Sequence, residues 1–194
     1  MRRRSLQIIV AVGLLAATSA IAFAFGDASQ SAAATGPSTS GLSLQDAFVS
    51  VYARVSPSVV QIETRDGLGS GIVFDGRGDI VTNAHVVGNA TTFRITTPAG
   101  KILSGKLVGV FKEDDLAVVR ASGGSLQAAS FGNSAALRVG DIAMAIGNPL
   151  GLQSSFTEGV VSALDRDESE GNGVTLRNAI QTSAAINPGN SGGA

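Results

Sequence analysis

Nine short apolar runs separated by turn-forming residues constrain this chain more than any other feature. Six of them lie before Ala121 and three after it, with no long helical pattern between them. The predicted strands are 59–64, 71–74, 79–82, 92–96, 101–110, 116–119, 142–146, 156–164 and 175–181. Parallel strands need long crossover connections, usually helices. The spacing therefore favours an all-β fold of antiparallel barrels over a βαβ fold.

The composition excludes several classes of function. There is no cysteine and only one histidine, so a disulfide framework, a Cys nucleophile and thiolate or His-rich metal sites are excluded. The chain has 14 basic and 15 acidic residues, and 11 basic residues remain when Arg2, Arg3 and Arg4 are set aside. This balance implies no basic surface for nucleic acid. No metal or organic cofactor is expected.

The N-terminus carries a targeting signal. Three arginines, Arg2 to Arg4, precede an apolar run from Leu6 to Phe25, which is long enough for a helix that crosses a bilayer. Basic flanks stay on the cytoplasmic side, so the rest of the chain is expected to be exported. Residues 1–25 are predicted to be a signal peptide or a membrane anchor. Small residues permit cleavage, whereas the length favours an anchor.

A composition change marks the next two segments. Residues 26–43 are mostly Ala, Ser, Gly, Thr and Pro, and this composition predicts a flexible linker. From Leu44 to Ser56 apolar residues recur at helical spacing, and Pro57 follows. The pattern predicts a short helix that opens a single domain over residues 44–194.

The single histidine, His85, is the only candidate for an imidazole base. It follows the predicted strand 79–82 in the segment TNAHVV. An imidazole with a pKa near 6.5 can accept a hydroxyl proton and return it to a leaving group near neutral pH. A lone histidine is more often structural, so its role depends on partners elsewhere in the chain.

Two adjacent aspartates compete to orient that base. Asp115 directly precedes the apolar run 116–119, where a carboxylate can be partly buried at the edge of the core. Such a carboxylate fixes the tautomer of the imidazole and stabilises the imidazolium. Asp114 is the nearest alternative, and a solvated acidic turn is the other interpretation of these residues.

A serine among glycines near the end of the sequence is the candidate nucleophile. In NPGNSGGA, glycines surround Ser191, and they allow successive N–H groups to point at one spot. The amides of Gly189 and Ser191 would then form an oxyanion hole. The segment also fits the G-x-S-x-G elbow of α/β hydrolases, but there the acid and histidine follow the serine. The order His85, Asp115, Ser191 is that of the chymotrypsin class.

Six motifs in this order carry a resemblance to a known family. They are GSGIVFD (69–75), IVTNAHVV (80–87), DLAVV (115–119), AIGNPLGL (145–152), GVVSALDR (159–166) and IQTSAAINPGNSGGA (180–194). From about Val51 onward the sequence resembles the HtrA (Deg) family of trypsin-like serine proteases. The resemblance implies a chymotrypsin-like double β-barrel, with His85 as base, Asp115 as its acid and Ser191 as nucleophile.

The resemblance assigns further expectations. Ile186 matches the pocket for a small aliphatic residue before the cut, and Arg166, in the stretch 165–173, matches a regulatory loop. Ser183 stands where the family usually has aspartate. The implied activity is endopeptidase cleavage of unfolded or damaged polypeptides outside the cytoplasm, membrane-anchored, periplasmic or secreted. A homotrimer is also implied.

The sequence ends three residues after Ser191. Barrel domains of this kind are usually longer, so about half of the second barrel is expected to be missing. We therefore expect little peptidase activity from these residues by themselves. The alternative interpretation is an inactive remnant or a membrane-tethered, non-enzymatic binding module.

Overall fold

A computed structural model of the chain describes residues 39–65, 67–148, 155–169 and 175–194. The predicted apolar helix within residues 1–25 lies outside the described residues, as does most of the predicted linker 26–43. Among the residues that are described, no helix combines the length and apolar character needed to span a membrane.

Helix α1 begins earlier than the sequence pattern indicated. It covers Thr39–Val55, whereas the prediction placed its start at Leu44, so its first turn falls in the segment predicted as linker. Apolar residues recur only after that turn, and helix formation extends cooperatively beyond them. Further along α1, Phe48 and Tyr52 contact Phe156 with ring-centroid distances of 6.2 and 6.0 Å.

All nine predicted runs are strands, and a one-turn helix, α2 (Ala84–Val87), follows the third. The strands are β1 Val59–Glu63, β2 Leu68–Val73, β3 Asp79–Asn83, β4 Thr92–Thr96, β5 Ile102–Phe111, β6 Leu116–Ser122, β7 Ile142–Gly147, β8 Ser155–Ser169 and β9 Thr175–Thr182.

The first six strands form a closed antiparallel barrel in the order β1-β2-β3-β6-β5-β4. Strand β4 shows how the sequence builds it: Phe93 and Ile95 are buried while Thr92 and Arg94 are exposed, the period-two pattern of a half-buried strand. The buried core of the barrel includes Val60, Ile62, Val73, Ile80, Phe93, Ile95, Leu103 and Val119. Full burial of each large aliphatic side chain contributes roughly 1.5–3 kcal/mol.

The pairing of β3 with β6 positions the candidate base and its acid. Asn83, the last residue of β3, lies opposite Leu116, the first residue of β6. The segments that continue from these two ends are therefore neighbours. They contain His85 and Asp115, which are far apart in sequence.

Strands β7, β8 and β9 form a separate antiparallel sheet. The all-β, chymotrypsin-like architecture is thus confirmed, with the second strand series present as this three-stranded sheet. Strand β8 continues to Ser169, past the predicted end of its apolar pattern. Ala194 exchanges two backbone hydrogen bonds with Ile146 of β7, at 2.7 and 2.9 Å, so the segment after Ser191 runs beside this sheet.

Candidate active site

His85 lies in α2, directly after β3. The sequence placed it at a strand end, but β3 stops at Asn83 and the chain turns into the helix Ala84–Val87. The side chain is 46% exposed, so the ring is open to a bound molecule. Its backbone N–H donates to Asp115 Oδ1 at 2.9 Å, which fixes the start of the helix relative to the acid.

Asp115 is the carboxylate that faces His85. Its Oδ2 lies 2.7 Å from His85 Nδ1, and only 8% of its side chain is exposed. The residue adopts a left-handed conformation, with φ of +50°. Its carbonyl accepts hydrogen bonds from the Ala84 N–H at 2.9 Å and from Asn83 Nδ2 at 3.1 Å. Asp114, the competing candidate, is exposed.

This hydrogen bond defines the tautomer of His85. An ionised carboxylate can only accept, so Nδ1 carries the proton and Nε2 is left with its lone pair. The partly exposed ring can therefore accept a proton at Nε2. That is the arrangement required of a general base.

Ser191 shares a cleft with His85. The cleft has a volume of about 160 Å³ and is also lined by Leu68, Val86 and Asn89. Within the described ranges, no hydrogen bond joins the imidazole to the Ser191 hydroxyl. Catalytic hydrogen bonds are often long in unliganded sites and tighten when substrate binds.

The predicted oxyanion donors are the amides of Gly189 and Ser191. Neither N–H donates to an acceptor in the described part of the chain, whereas the N–H of Asn190, between them, donates to the Asn187 carbonyl at 3.0 Å. Gly189 is buried with φ of +94°, a region that glycine adopts without a steric penalty. The backbone thus presents two unused donors beside the candidate nucleophile.

Two predicted residues lie away from this cleft. Ile186 is 62% exposed and does not line it. Arg166 is exposed in β8, opposite Ala179 of β9, and lines a different surface cleft. The stretch 165–173 resembles a loop in sequence, but its described part, residues 165–169, is strand. Backbone pairing with β9 stabilises this extension, although its side chains are polar.

Side-chain hydroxyls hold the segment before the nucleophile against β8. Thr157 Oγ1 donates to the Ala185 carbonyl at 2.7 Å, and the Val160 N–H donates to Ser183 Oγ at 3.0 Å. Ser183, where the resemblance expects aspartate, thus braces the turn with its hydroxyl. Asn190 Oδ1 accepts from the Ser155 hydroxyl.

Sequence reasoning missed Ser70 and Asn148. Both are fully buried, and the Asn148 N–H donates to Ser70 Oγ at 2.8 Å. The only local signal for Ser70 is a serine between two glycines in a strand. That pattern does not identify its distant partners.

Residues 69–194 match the family model described as a trypsin-like peptidase domain. The chain belongs to the trypsin-like peptidases. Its similarity to the HtrA (Deg) branch is confirmed by relatives such as the serine protease PepD of Mycobacterium tuberculosis and the chloroplastic protease Do-like 8 of Arabidopsis thaliana. Each is 44% identical to this chain, over 162 and 148 residues, covering 74% and 68% of it.

Solved structures place this trypsin-like peptidase in the same group. The crystal structure of Deg5 gives a TM-score of 0.69 at 40% identity, covering 77% of this chain and 78% of that one. The HtrA-type protease AlgW with tripeptide gives 0.69 at 37% identity, covering 76% and 49%. The chain spans about a third of the length of the curated relatives, 35% of PepD and 33% of Do-like 8.

Proposed function

We propose that this chain carries the catalytic residues of a serine endopeptidase, with His85, Asp115 and Ser191 as its triad. The observation that carries the proposal is the 2.7 Å contact between His85 Nδ1 and the buried carboxylate of Asp115. The same imidazole lines a cleft together with Ser191. Family membership supports the same reaction, because the relatives PepD and Do-like 8 are named proteases.

The first half of the reaction forms an acyl-enzyme. Ser191 Oγ attacks the carbonyl carbon of the scissile peptide while its proton moves to His85 Nε2. Asp115 remains ionised and stabilises the imidazolium through Nδ1–H. Collapse of the tetrahedral intermediate breaks the C–N bond, and His85 returns the proton to the leaving amine.

The second half repeats these transfers with water. His85 takes a proton from a water molecule while the water oxygen attacks the carbonyl carbon of the acyl-enzyme ester. The C–Oγ bond then breaks, His85 returns the proton to Ser191 Oγ, and the peptide with its new carboxyl group leaves. In both halves the carbonyl oxygen gains negative charge that the N–H groups of Gly189 and Ser191 would stabilise. Loss of one such donor typically costs about 10²- to 10³-fold in kcat.

Unfolded or damaged polypeptides are the proposed substrates, cleaved after small aliphatic residues that Ile186 would contact. The proposed location of the protein is outside the cytoplasm. It would be anchored to the membrane if residues 1–25 are retained, and periplasmic or secreted if they are cleaved. Arg166 would take part in regulation. Homotrimer assembly is proposed as well. The aromatic contacts of Phe48 and Tyr52 with Phe156 offer an apolar surface for it, and sedimentation velocity would measure the assembly directly.

The test is hydrolysis of casein by the full-length protein. Wild type is expected to cleave unfolded casein, and Ser191→Ala is expected to abolish cleavage. Ser122→Ala is the matched control, because Ser122 is an exposed serine at the end of β6. It should retain wild-type activity.

Two outcomes would contradict the proposal. Cleavage that persists in Ser191→Ala would assign the activity to another group. Casein binding without any cleavage by wild type would favour the alternative of a non-enzymatic binding module.

A further inference from the structure

The buried hydroxyl of Ser70 makes contacts that the proposed triad leaves unexplained. Ser70 lies in β2, and its relative exposure is 0%. A polar group buried to this extent costs free energy unless it is hydrogen-bonded. Ser70 Oγ donates to the Gly189 carbonyl at 2.6 Å and accepts from the Asn148 N–H at 2.8 Å.

The backbone of Ser70 contacts the same loop. Its N–H donates to the Ser191 carbonyl at 2.8 Å, and its own carbonyl accepts from Thr82 Oγ1 at 2.7 Å. One residue of the first barrel therefore holds the carbonyls of both Gly189 and Ser191. These are the two residues whose N–H groups are the candidate oxyanion donors.

We propose that Ser70 is a positioning residue for the oxyanion hole, acting through the Gly189 carbonyl. The inference rests on the proposed peptidase function. Gly189 has no side chain and a φ of +94°, so its own covalent structure restricts its backbone less than that of any other residue type. The Ser70 hydroxyl supplies the missing restraint and holds the segment that presents the Gly189 and Ser191 amides.

The contact with Asn148 extends the restraint to the second sheet. Asn148 follows β7 directly, and its side-chain Nδ2 donates to the Val59 carbonyl at 3.3 Å. The sequence Asn148 N–H to Ser70 O–H to Gly189 C=O forms a short hydrogen-bond chain, in which each bond polarises the next. The orientation of the oxyanion loop thus depends on the relative placement of β2 and the end of β7.

The loop also packs closely against β2 through its backbone. A Cβ on Gly192 would lie 2.3 Å from the Ser70 carbonyl oxygen, which shows how closely the loop approaches β2. Among the described residues, Ser70 is the one whose side chain donates to the carbonyl of Gly189. Removal of its hydroxyl frees that carbonyl and leaves the Asn148 N–H without its acceptor.

The experiment compares Ser70→Ala with wild type in the full-length protein, using a chromogenic peptide substrate. We expect kcat to fall by about 10- to 100-fold, because a displacement of about 1 Å in an active site can cost roughly 10²-fold. KM should change less than about twofold, since the hydroxyl does not contact substrate. The inhibition constant of a peptide aldehyde, whose hemiacetal adduct needs the oxyanion hole, should rise by the same factor as kcat/KM falls.

Two further readouts separate positioning from a loss of folding. The shape of the pH profile of kcat/KM should be the same in both proteins, because the substitution leaves the His85–Asp115 pair untouched. Thr97→Val is the matched control: it also removes a buried hydroxyl that accepts a backbone N–H, that of Lys101 at 3.1 Å, at the β4–β5 turn. It should leave kcat and the aldehyde constant unchanged.

The failures are distinguishable. A wild-type kcat in Ser70→Ala, or a kcat loss without a parallel loss of aldehyde affinity, would overturn the role of Ser70 while the peptidase function stands. A wild-type protein without Ser191-dependent hydrolysis would overturn both.

Discussion

Replacement of Gly192 by alanine tests the packing that brings the nucleophile loop against the first barrel. Gly192 has a φ of +78°, and a Cβ there would lie 2.3 Å from both the Ser70 carbonyl oxygen and Thr82 Oγ1. The Ser70 oxygen belongs to the backbone and Thr82 is only 2% exposed, so displacement of either atom would disturb its surroundings.

The magnitude follows from two additive costs. A left-handed conformation costs a residue with a Cβ roughly 1–2 kcal/mol. Overpacking of a tight site typically adds about 1–3 kcal/mol. Gly192→Ala should therefore lower the free energy of unfolding by roughly 2–5 kcal/mol.

Gly123→Ala is the matched control, because Gly123 has nearly the same φ, +77°, but no atom within 4 Å of its added Cβ. Its free energy of unfolding should fall only by the conformational cost of roughly 1–2 kcal/mol. Urea unfolding followed by circular dichroism measures both variants. With an m-value of about 2 kcal/mol/M, the midpoint of Gly192→Ala should lie about 0.5–1.5 M below that of the control. Equal midpoints would refute the close contact with Ser70 and Thr82 from which the difference is derived.

Two further predictions concern charged groups. Asp115→Asn should lower kcat by about 10⁴-fold with little change in KM, because an amide can stabilise the wrong tautomer of the imidazole; steady-state kinetics measures this, and an equal loss in Asp114→Asn would contradict the choice of acid. The hydrogen bond from the Arg77 side chain lowers the pKa of Asp75 below its ordinary value. The ionised carboxylate therefore stabilises the folded state at pH values above its unfolded pKa. This contribution is lost as the pH falls through the lowered pKa of the folded state. Arg77→Gln should raise that pKa, as followed by NMR titration of the carboxyl carbon, and an unchanged value would show that the bond does not form in solution.

The strands were predictable because their signals are local. Strand β4 was predicted with the observed bounds, Thr92–Thr96, because its five consecutive residues alternate between polar and apolar side chains. Where pairing with a neighbouring strand extends an element, no local pattern indicates the extension. Residues 165–169 of β8 are polar, and the family resemblance implies a loop there, yet they pair with β9.

The candidate site divides in the same way. His85 and Ser191 stood out by residue type and local pattern, and Asp115 by its place before an apolar run. The sequence already favoured Asp115 over Asp114, and the fold shows how Asp115 reaches the imidazole. The β3–β6 register and the left-handed backbone of Asp115 turn its carboxylate toward His85, and Asp114 remains exposed.

The sequence by itself determined the type and order of the strands, the residue types of the proposed triad and the glycines around the nucleophile. Only the tertiary structure showed how the Asp115 carboxylate reaches the imidazole and which buried hydroxyl holds Gly189. The physical reason is the distance along the chain over which each interaction acts. Periodicity and turn chemistry act over a few neighbouring residues, whereas the contact between Ser70 and Gly189 joins β2 to a loop 119 positions away and depends on how the barrel closes.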